Sequence, residues 1–366
     1  MCKIQLYVGI AALSGLLFAS SSYSKIQVTE LASGLNHPWG IAFLPNGDAL
    51  ITERNGSLRK LNSDNQLSET IKGLPEAVSK GQGGTLGVAI SPNYAQDKRV
   101  YVCVNVEGEN GWGSEVHSGV LNGEVLENVK PIFVALPKSE SNFHFGCRIV
   151  FDNQGHMFVS LGDRGAFKEQ AQNTDNHLGA VVRVTTEGKA VSDNPFISGD
   201  APEIYTFGHR NVQGMAKHPI SGDIWTNEHG PKGGDEVNIL SKGKNYGWPA
   251  ITYGVNYDGT VISDKTAEVG MEQPTKYWVP SFAPSGMMFY TGDEFSEWKN
   301  NLFVGSLKFR YLKRLVVENN QIVNEEDLLT ERDERIRDVA QAPDGSIYLL
   351  TDSDNGKVLR LTKQGS

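Results

Sequence analysis

A histidine, His144, and an aspartate, Asp163, stand at the two ends of "HFGCRIVFDNQGHMFVSLGD", which reads as two short apolar runs about a turn. If the runs pair, the carboxylate meets one imidazole nitrogen, fixes the tautomer and leaves the other nitrogen as a general base. Flanked by Phe143 and Phe145, the same histidine also reads as a packed core residue with no chemistry to do. Cations recur beside similar apolar runs: Arg210, followed by Asn211, then Lys308, Arg335 and Arg337. Like charges brought together require an anion or fixed acids to balance them, and Glu53, Glu228 and Asp352 occupy equivalent positions. The choice is therefore between an anionic ligand and an internal ion-pair network. In "NEHGPKGGDEVN" the loop carbonyls of Gly230 and Pro231 suit a hard cation such as calcium, and Asp235 and Glu236 offer a second ion site or a turn cap. The spacing is not that of an EF-hand, so this metal signal is weak by itself. Trp248, Tyr257 and Trp278 are aromatic residues that can stack on a flat ligand or a sugar ring.

Six stretches alike in pattern must position these residues: 38–56, 84–105, 145–165, 211–231, 284–309 and 336–356. Each is an apolar strand, a turn of Pro, Asn, Asp or Gly, and a second apolar strand, as in a hairpin buried on both faces. Runs that alternate apolar and polar residues, such as "GSLRKLNSD", "GAVVRVTTEG", "LKRLVVENNQIV" and "KVLRLTKQG", lie between them as half-exposed strands. Two inner and one or two outer strands, repeated six times, predict an all-β fold: a six-bladed β-propeller of four-stranded antiparallel blades. "KIQVTELAS" is placed to add the outer strand of the last blade. Two β-sandwiches fit poorly, because the hairpin recurs evenly along the chain. In an antiparallel hairpin the start of the first strand lies beside the end of the second. His144, Asp163, Arg210, Lys308, Arg335 and Arg337 therefore converge on one face of the channel.

The whole chain has 366 residues, a formal net charge of -9 and 40 glycines, which favours many short strands and turns over helices. No long basic run is present, so no nucleic-acid partner is expected. Residues 1–24 read as a signal peptide, with an early lysine, the apolar run "LYVGIAALSGLLFA" and small residues before a cut near Ser24. Residues 25–366 then form a single domain with no membrane span after cleavage, periplasmic or secreted. Cys103 and Cys147 remain in that part; both look like buried strand residues, and two free thiols are expected. GxSxG, HExxH, P-loop and dinucleotide-binding GxGxxG patterns are missing, which disfavours serine-hydrolase and Rossmann chemistry.

"HPWGIAFLPNG", "GQGGTLG", "HFGCR", "GHRNVQG", "NEHGPKGGDEVN", "KNYGWP" and "RIRDV" together resemble the signature blocks of the soluble aldose sugar dehydrogenases. These belong to the glucose/sorbosone dehydrogenase family and depend on pyrroloquinoline quinone (PQQ) and calcium. The resemblance spans about residues 28–362, with the blocks in the family's order. It implies that His144 is the general base, that Asp163 orients it, and that Arg210 stabilises charge on the quinone oxygen. It further implies that Gln82, Arg210, Asn211, Tyr257, Lys308, Arg335 and Arg337 contact PQQ. The carbonyls of Gly230 and Pro231 would hold the calcium that polarises PQQ, and Glu236 with the carbonyl of Tyr246 a second, structural calcium. Gln82 and Trp278 are expected to contact the sugar. The implied reaction oxidises an aldose to an aldonolactone, with electrons passed to an external acceptor, a quinone or a redox protein. Phe143 departs from the best-known glucose oxidisers, which carry an acid there, and this implies broad sugar specificity. A monomer or a homodimer is expected. The competing readings are a calcium-dependent propeller lactonase or esterase and a non-catalytic carbohydrate-binding propeller.

Overall fold

The computed structural model describes residues 26–365, so the expected signal peptide lies outside the described residues. All six expected hairpins form. Their first strands, Pro38–Phe43, Thr85–Ile90, Ile149–Phe151, Val212–Lys217, Pro284–Phe289 and Ile336–Gln341, each touch the next, and the last touches the first. The ring so closed is a six-bladed β-propeller with these strands innermost. Second strands such as Ala49–Glu53, Ile224–Glu228 and Leu302–Ser306 are buried at every residue, as their unbroken apolar runs predicted. Among the described residues no helix is long and apolar enough to cross a membrane.

Five blades have four strands and one has three. The exception, Pro38–Phe43, Ala49–Glu53 and Leu58–Leu61, stops because Asn62 turns the chain. Its side-chain oxygen accepts the N–H groups of Asp64 and Gln66, leaving only a single bridge between Leu61 and Leu67 in the fourth place. At the other end of the ring, Ile26–Leu35 pairs antiparallel with Gly356–Lys363, so both chain ends build the last blade. This is the closure that "KIQVTELAS" predicted.

Buried polar side chains stitch every blade to its neighbour. The hydroxyls of Thr52, Ser114, Ser160 and Ser285 donate to the carbonyls of Leu86, Phe145, Val212 and Ile336. The amide of Asn227 donates to the Ser285 carbonyl, and the Ile41 N–H donates to Asp338. Each such bond contributes about 1 kcal/mol net. Close approach near the axis demands small residues: a Cβ on Gly87 would run into the Cys147 carbonyl, and one on Gly286 into Asp338.

Cys103 and Cys147 are not free thiols. Cys103, in the strand Arg99–Gly108, is bonded to Cys147, at the entry to the next blade, with Cα atoms 5.8 Å apart. The expectation failed because "VYVCVNV" and "HFGCRIV" are both apolar, which hides that one residue leads its strand and the other faces it from the neighbouring blade.

Candidate functional site

The segment that carries His144 is not strand but a tight turn. His144, Gly146 and Cys147 all have left-handed backbone, with φ of 52°, 66° and 82°. Two of these are not glycine, so the surroundings must hold them there. Gln82 accepts the His144 backbone N–H at 2.9 Å, Asn211 accepts that of Gly146 at 3.3 Å, and the disulfide clamps Cys147. Phe145 is buried, with the Arg164 guanidinium 4.0 Å over its ring, and anchors the turn. Phe143 does not share that role: it is 55% exposed and lies at a cavity rim.

His144 Nδ1 is 2.6 Å from Asp163 Oδ1, so the sequence-predicted pair forms. Asp163 is fully engaged. Oδ1 also accepts the Gly165 N–H at 2.7 Å, and Oδ2 accepts the indole N–H of Trp248 at 2.7 Å. Burial works to raise the Asp163 pKa, but the hydrogen bond and charge of His144, the Gly165 N–H and Arg210 hold it below the usual carboxylate value. For His144, burial lowers the imidazole pKa more than the Asp163 hydrogen bond raises it, and Arg210 lowers it further. A neutral ring that donates from Nδ1 to an ionised carboxylate leaves a basic lone pair on Nε2. That nitrogen has no hydrogen-bond partner among the described residues, and the ring lines a cavity of about 490 Å³.

Trp248 was expected as a stacking platform; its observed place is behind the Asp163 carboxylate, with Arg210 5.4 Å over its ring. Arg210 donates to the carbonyls of His229 and Gly230, each at 3.0 Å, and its backbone N–H to Glu228. Tyr257, 72% exposed, and Pro231 complete the outer wall of this cavity.

Gln82 also lines a second cavity of about 370 Å³ on the channel, together with Asn211, Lys308, Arg335 and Arg337. Five of the residues expected together are thus brought together, while Arg210 sits in the adjoining wall. Arg54 and Arg310 line the same cavity; Arg54 follows the second strand of its hairpin as Lys308 does, and Arg310 was not singled out from the sequence. Two acids answer these cations: Asp352 bonds Arg335 and Arg337 at 2.8 and 2.9 Å and His37 at 2.8 Å, and Asp333 bonds Arg310 at 3.0 Å. Burial works to raise the Asp352 pKa, but Arg337, Arg335 and His37 outweigh it and hold the carboxyl far below its ordinary value. Glu53 is elsewhere, on the Asn36 N–H and near Arg59. Below this cavity Arg148 pairs with Asp338 at 2.8 Å and bonds the carbonyls of Gln213 and Arg337. The channel is plugged there.

Glu236 and Tyr246 face a small space of about 10 Å³ with Glu228, Gly230 and Thr252. Burial, then the like charge of Glu228, pushes the Glu236 carboxyl up to about 8. Asp235 is a turn cap, taking N–H groups from Gly230 and Ala283 and the hydroxyl of Ser281. Among the described residues no group of three or more His, Cys, Asp or Glu side chains is placed to hold a metal ion. Trp278 is not brought to either cavity. It lies on the outermost strand of its blade, Lys276–Trp278, packed on Phe282 with its indole N–H on Glu325.

Residues 35–360 match the family model described as Glucose / Sorbosone dehydrogenase. The chain is 41% identical over 363 residues, 97% of each protein, to a relative from Escherichia coli named aldose sugar dehydrogenase YliI. It superposes with a TM-score of 0.89 on a solved structure described as a glucose dehydrogenase, at 46% identity, covering 91% of this chain and 99% of that one. A PQQ-bound aldose sugar dehydrogenase from Streptomyces coelicolor aligns with a TM-score of 0.77 at 25% identity, over 92% and 99% of the two chains.

Proposed function

Since the chain belongs to the glucose/sorbosone dehydrogenase family, we propose that it oxidises aldose sugars at the anomeric carbon to aldonolactones, with PQQ and calcium as cofactors and His144 as the general base. The observation that carries this reading is the juxtaposition of a polarised His144–Asp163–Trp248 chain with a cation-lined cavity, the two sharing Gln82.

The residues present fit the cofactors. PQQ is planar and carries three carboxylates. Five cations line the channel cavity, and the buried Nε atoms of Arg54 and Arg337, like that of Arg210 beside it, have no hydrogen-bond partner among the described residues. Unsatisfied buried donors are costly, and an anionic ligand would satisfy them. For calcium, the Pro231 and Gly230 carbonyls, and separately the Glu228–Glu236 pair with the unpartnered Asn238 side-chain oxygen, supply hard oxygen donors. The hydrolase alternative requires several carboxylates around one ion, and no such group occurs among the described residues.

When bound, PQQ supplies the two-electron acceptor and calcium the Lewis acid that polarises it. The chain supplies the rest. His144 Nε2 takes the proton from the anomeric hydroxyl as the C1–H bond breaks. Asp163 holds Nδ1–H and stabilises the imidazolium that forms, and Trp248 keeps that carboxylate from rotating. Gln82, through the backbone of His144, fixes the height of the ring. Arg210, held by two carbonyls, presents a fixed positive charge where the acceptor's oxygen gains electrons. Lys308, Arg335 and Arg337 anchor the carboxylates. The disulfide joins the N-terminal export pattern in supporting a periplasmic or secreted location.

The test adds PQQ and calcium to the purified chain and follows aldose-dependent reduction of an artificial dye. Dye reduction that requires all three components is expected. A quinone absorbance unchanged by protein, with no dye reduction, would remove the reading.

A further inference from the structure

The sugar cavity contains one charge that the mechanism does not use. Of its polar lining, Asp163 is saturated by His144, Gly165 and Trp248, and Arg210 is held by backbone carbonyls. Gln82 accepts the His144 N–H, and the Asn256 amide donates to Thr260 at 2.9 Å. Lys168 remains. Its ammonium makes no hydrogen bond among the described residues; the nearest acid, Glu169, is 3.8 Å away and 70% exposed. The Lys168 side chain is two-thirds covered by protein, yet it lines the cavity.

Its position along the cavity follows from the loop. The Cα of Gly165 packs on the His144 ring, since a Cβ there would lie 3.7 Å from Nδ1. Lys168 opens the short helix Lys168–Gln172 just after it, and its side chain lines the same cavity as His144. A sugar whose C1 sits at His144 Nε2 therefore has the Lys168 ammonium as a neighbour within that cavity. Phe143 presents hydrocarbon to the same cavity, and Glu169, 70% exposed and 3.8 Å from the ammonium, is free to swing into solvent when an anion takes its place.

We propose that Lys168 is a specificity-determining residue that makes this site favour aldoses carrying an anionic group at the carbon farthest from C1, as in hexuronic acids or hexose 6-phosphates. This rests on the sugar-dehydrogenase reading above and deepens it. The reaction is unchanged: C1–H leaves as hydride to PQQ, the O1 proton goes to His144, and the distal anion is a spectator. A hexuronic acid would yield the lactone of an aldaric acid. The whole chain is negatively charged, with a formal net charge of -9, so long-range steering opposes such substrates. The preference must come from the local ammonium and must fade as salt screens it.

The experiment uses the full chain reconstituted with PQQ and calcium, and compares glucose, glucuronate and glucose 6-phosphate. At low ionic strength kcat/KM for at least one of the two anions should exceed that for glucose by about fivefold, chiefly through KM. In Lys168→Gln the anion-to-glucose ratio should fall by about that factor, Lys168→Glu should push it lower still, and Lys168→Arg should restore it. Raising the ionic strength from about 0.01 to about 1 M should erode the wild-type ratio, because the Debye length shrinks from about 30 to about 3 Å. Whichever anion carries the effect identifies the source as carboxylate or phosphate. Glucose oxidised well with neither anion favoured, or a ratio unmoved in a folded Lys168→Gln protein, overturns the proposal and leaves the parent reading standing. Oxidation of no aldose at all overturns both.

Discussion

At the scale of single residues, the His144–Asp163 pair proposed as catalytic was legible because the two lie just beyond matched ends of one hairpin, whose antiparallel pairing brings them near each other. The indole that completes the chain was legible only as an aromatic. Nothing in "KNYGWP" shows that Trp248 points at Asp163 from the neighbouring blade. Trp248→Phe tests the link: Asp163 Oδ2 loses its donor, a hydrogen bond to a charged group worth about 1.5–3 kcal/mol. Turnover should fall about tenfold or more with sugar KM little changed. A variant with wild-type kcat would detach Trp248 from the mechanism. The pH dependence follows from His144. Its pKa lies below the ordinary 6.5, because burial and Arg210 outweigh the Asp163 hydrogen bond. A lowered pKa keeps the ring in its basic, neutral form to more acidic pH, so the acid limb of kcat/KM should lie below pH 6.5. An acid limb above that value would contradict the assignment.

At the scale of elements, each inner hairpin was legible from unbroken apolar runs closed by turn residues, and the outer strands from alternation. What pattern could not show was contact between blades. The Cys103–Cys147 bond joins residues that are local to different hairpins, so each looked like ordinary core. The export pattern, with two cysteines in the mature chain, was the available signal. This bond braces a turn in which His144 and Cys147 both hold left-handed backbone. Cys103→Ser combined with Cys147→Ser should cost about 2–4 kcal/mol of stability and lower kcat as the His144 turn loosens. Thermal melting and steady-state rates check it; an unaltered melting midpoint would show that the bond is mechanically idle. Trp278 was misread for a related reason: an aromatic residue near a rich loop can equally sit on the outermost strand, where packing on Phe282 and a bond to Glu325 fully account for it.

At the scale of the whole molecule, recurrence of one hairpin specified the blade number, and the segment Ile26–Leu35 specified how the ring closes. The three-stranded blade escaped because its missing strand depends on the Asn62 side chain, a local turn that binary pattern does not encode. Closure makes a prediction of its own. Deleting Ile26–Leu35 exposes the edge of Gly356–Lys363 and leaves the last blade open. Such a protein should melt at a lower temperature and self-associate with concentration, as seen by light scattering; a monomer of unaltered stability would show the strand to be dispensable. The ring brings a polarised imidazole beside a cavity lined by five cations, two of which keep an unpartnered buried Nε among the described residues. The most direct test is single-turnover reduction of protein-bound PQQ by an aldose, compared between the wild type and His144→Ala. PQQ uptake should be undiminished and the rate lower by on the order of 10²- to 10⁴-fold in the variant. Reduction at the wild-type rate without the imidazole would contradict His144 as the base.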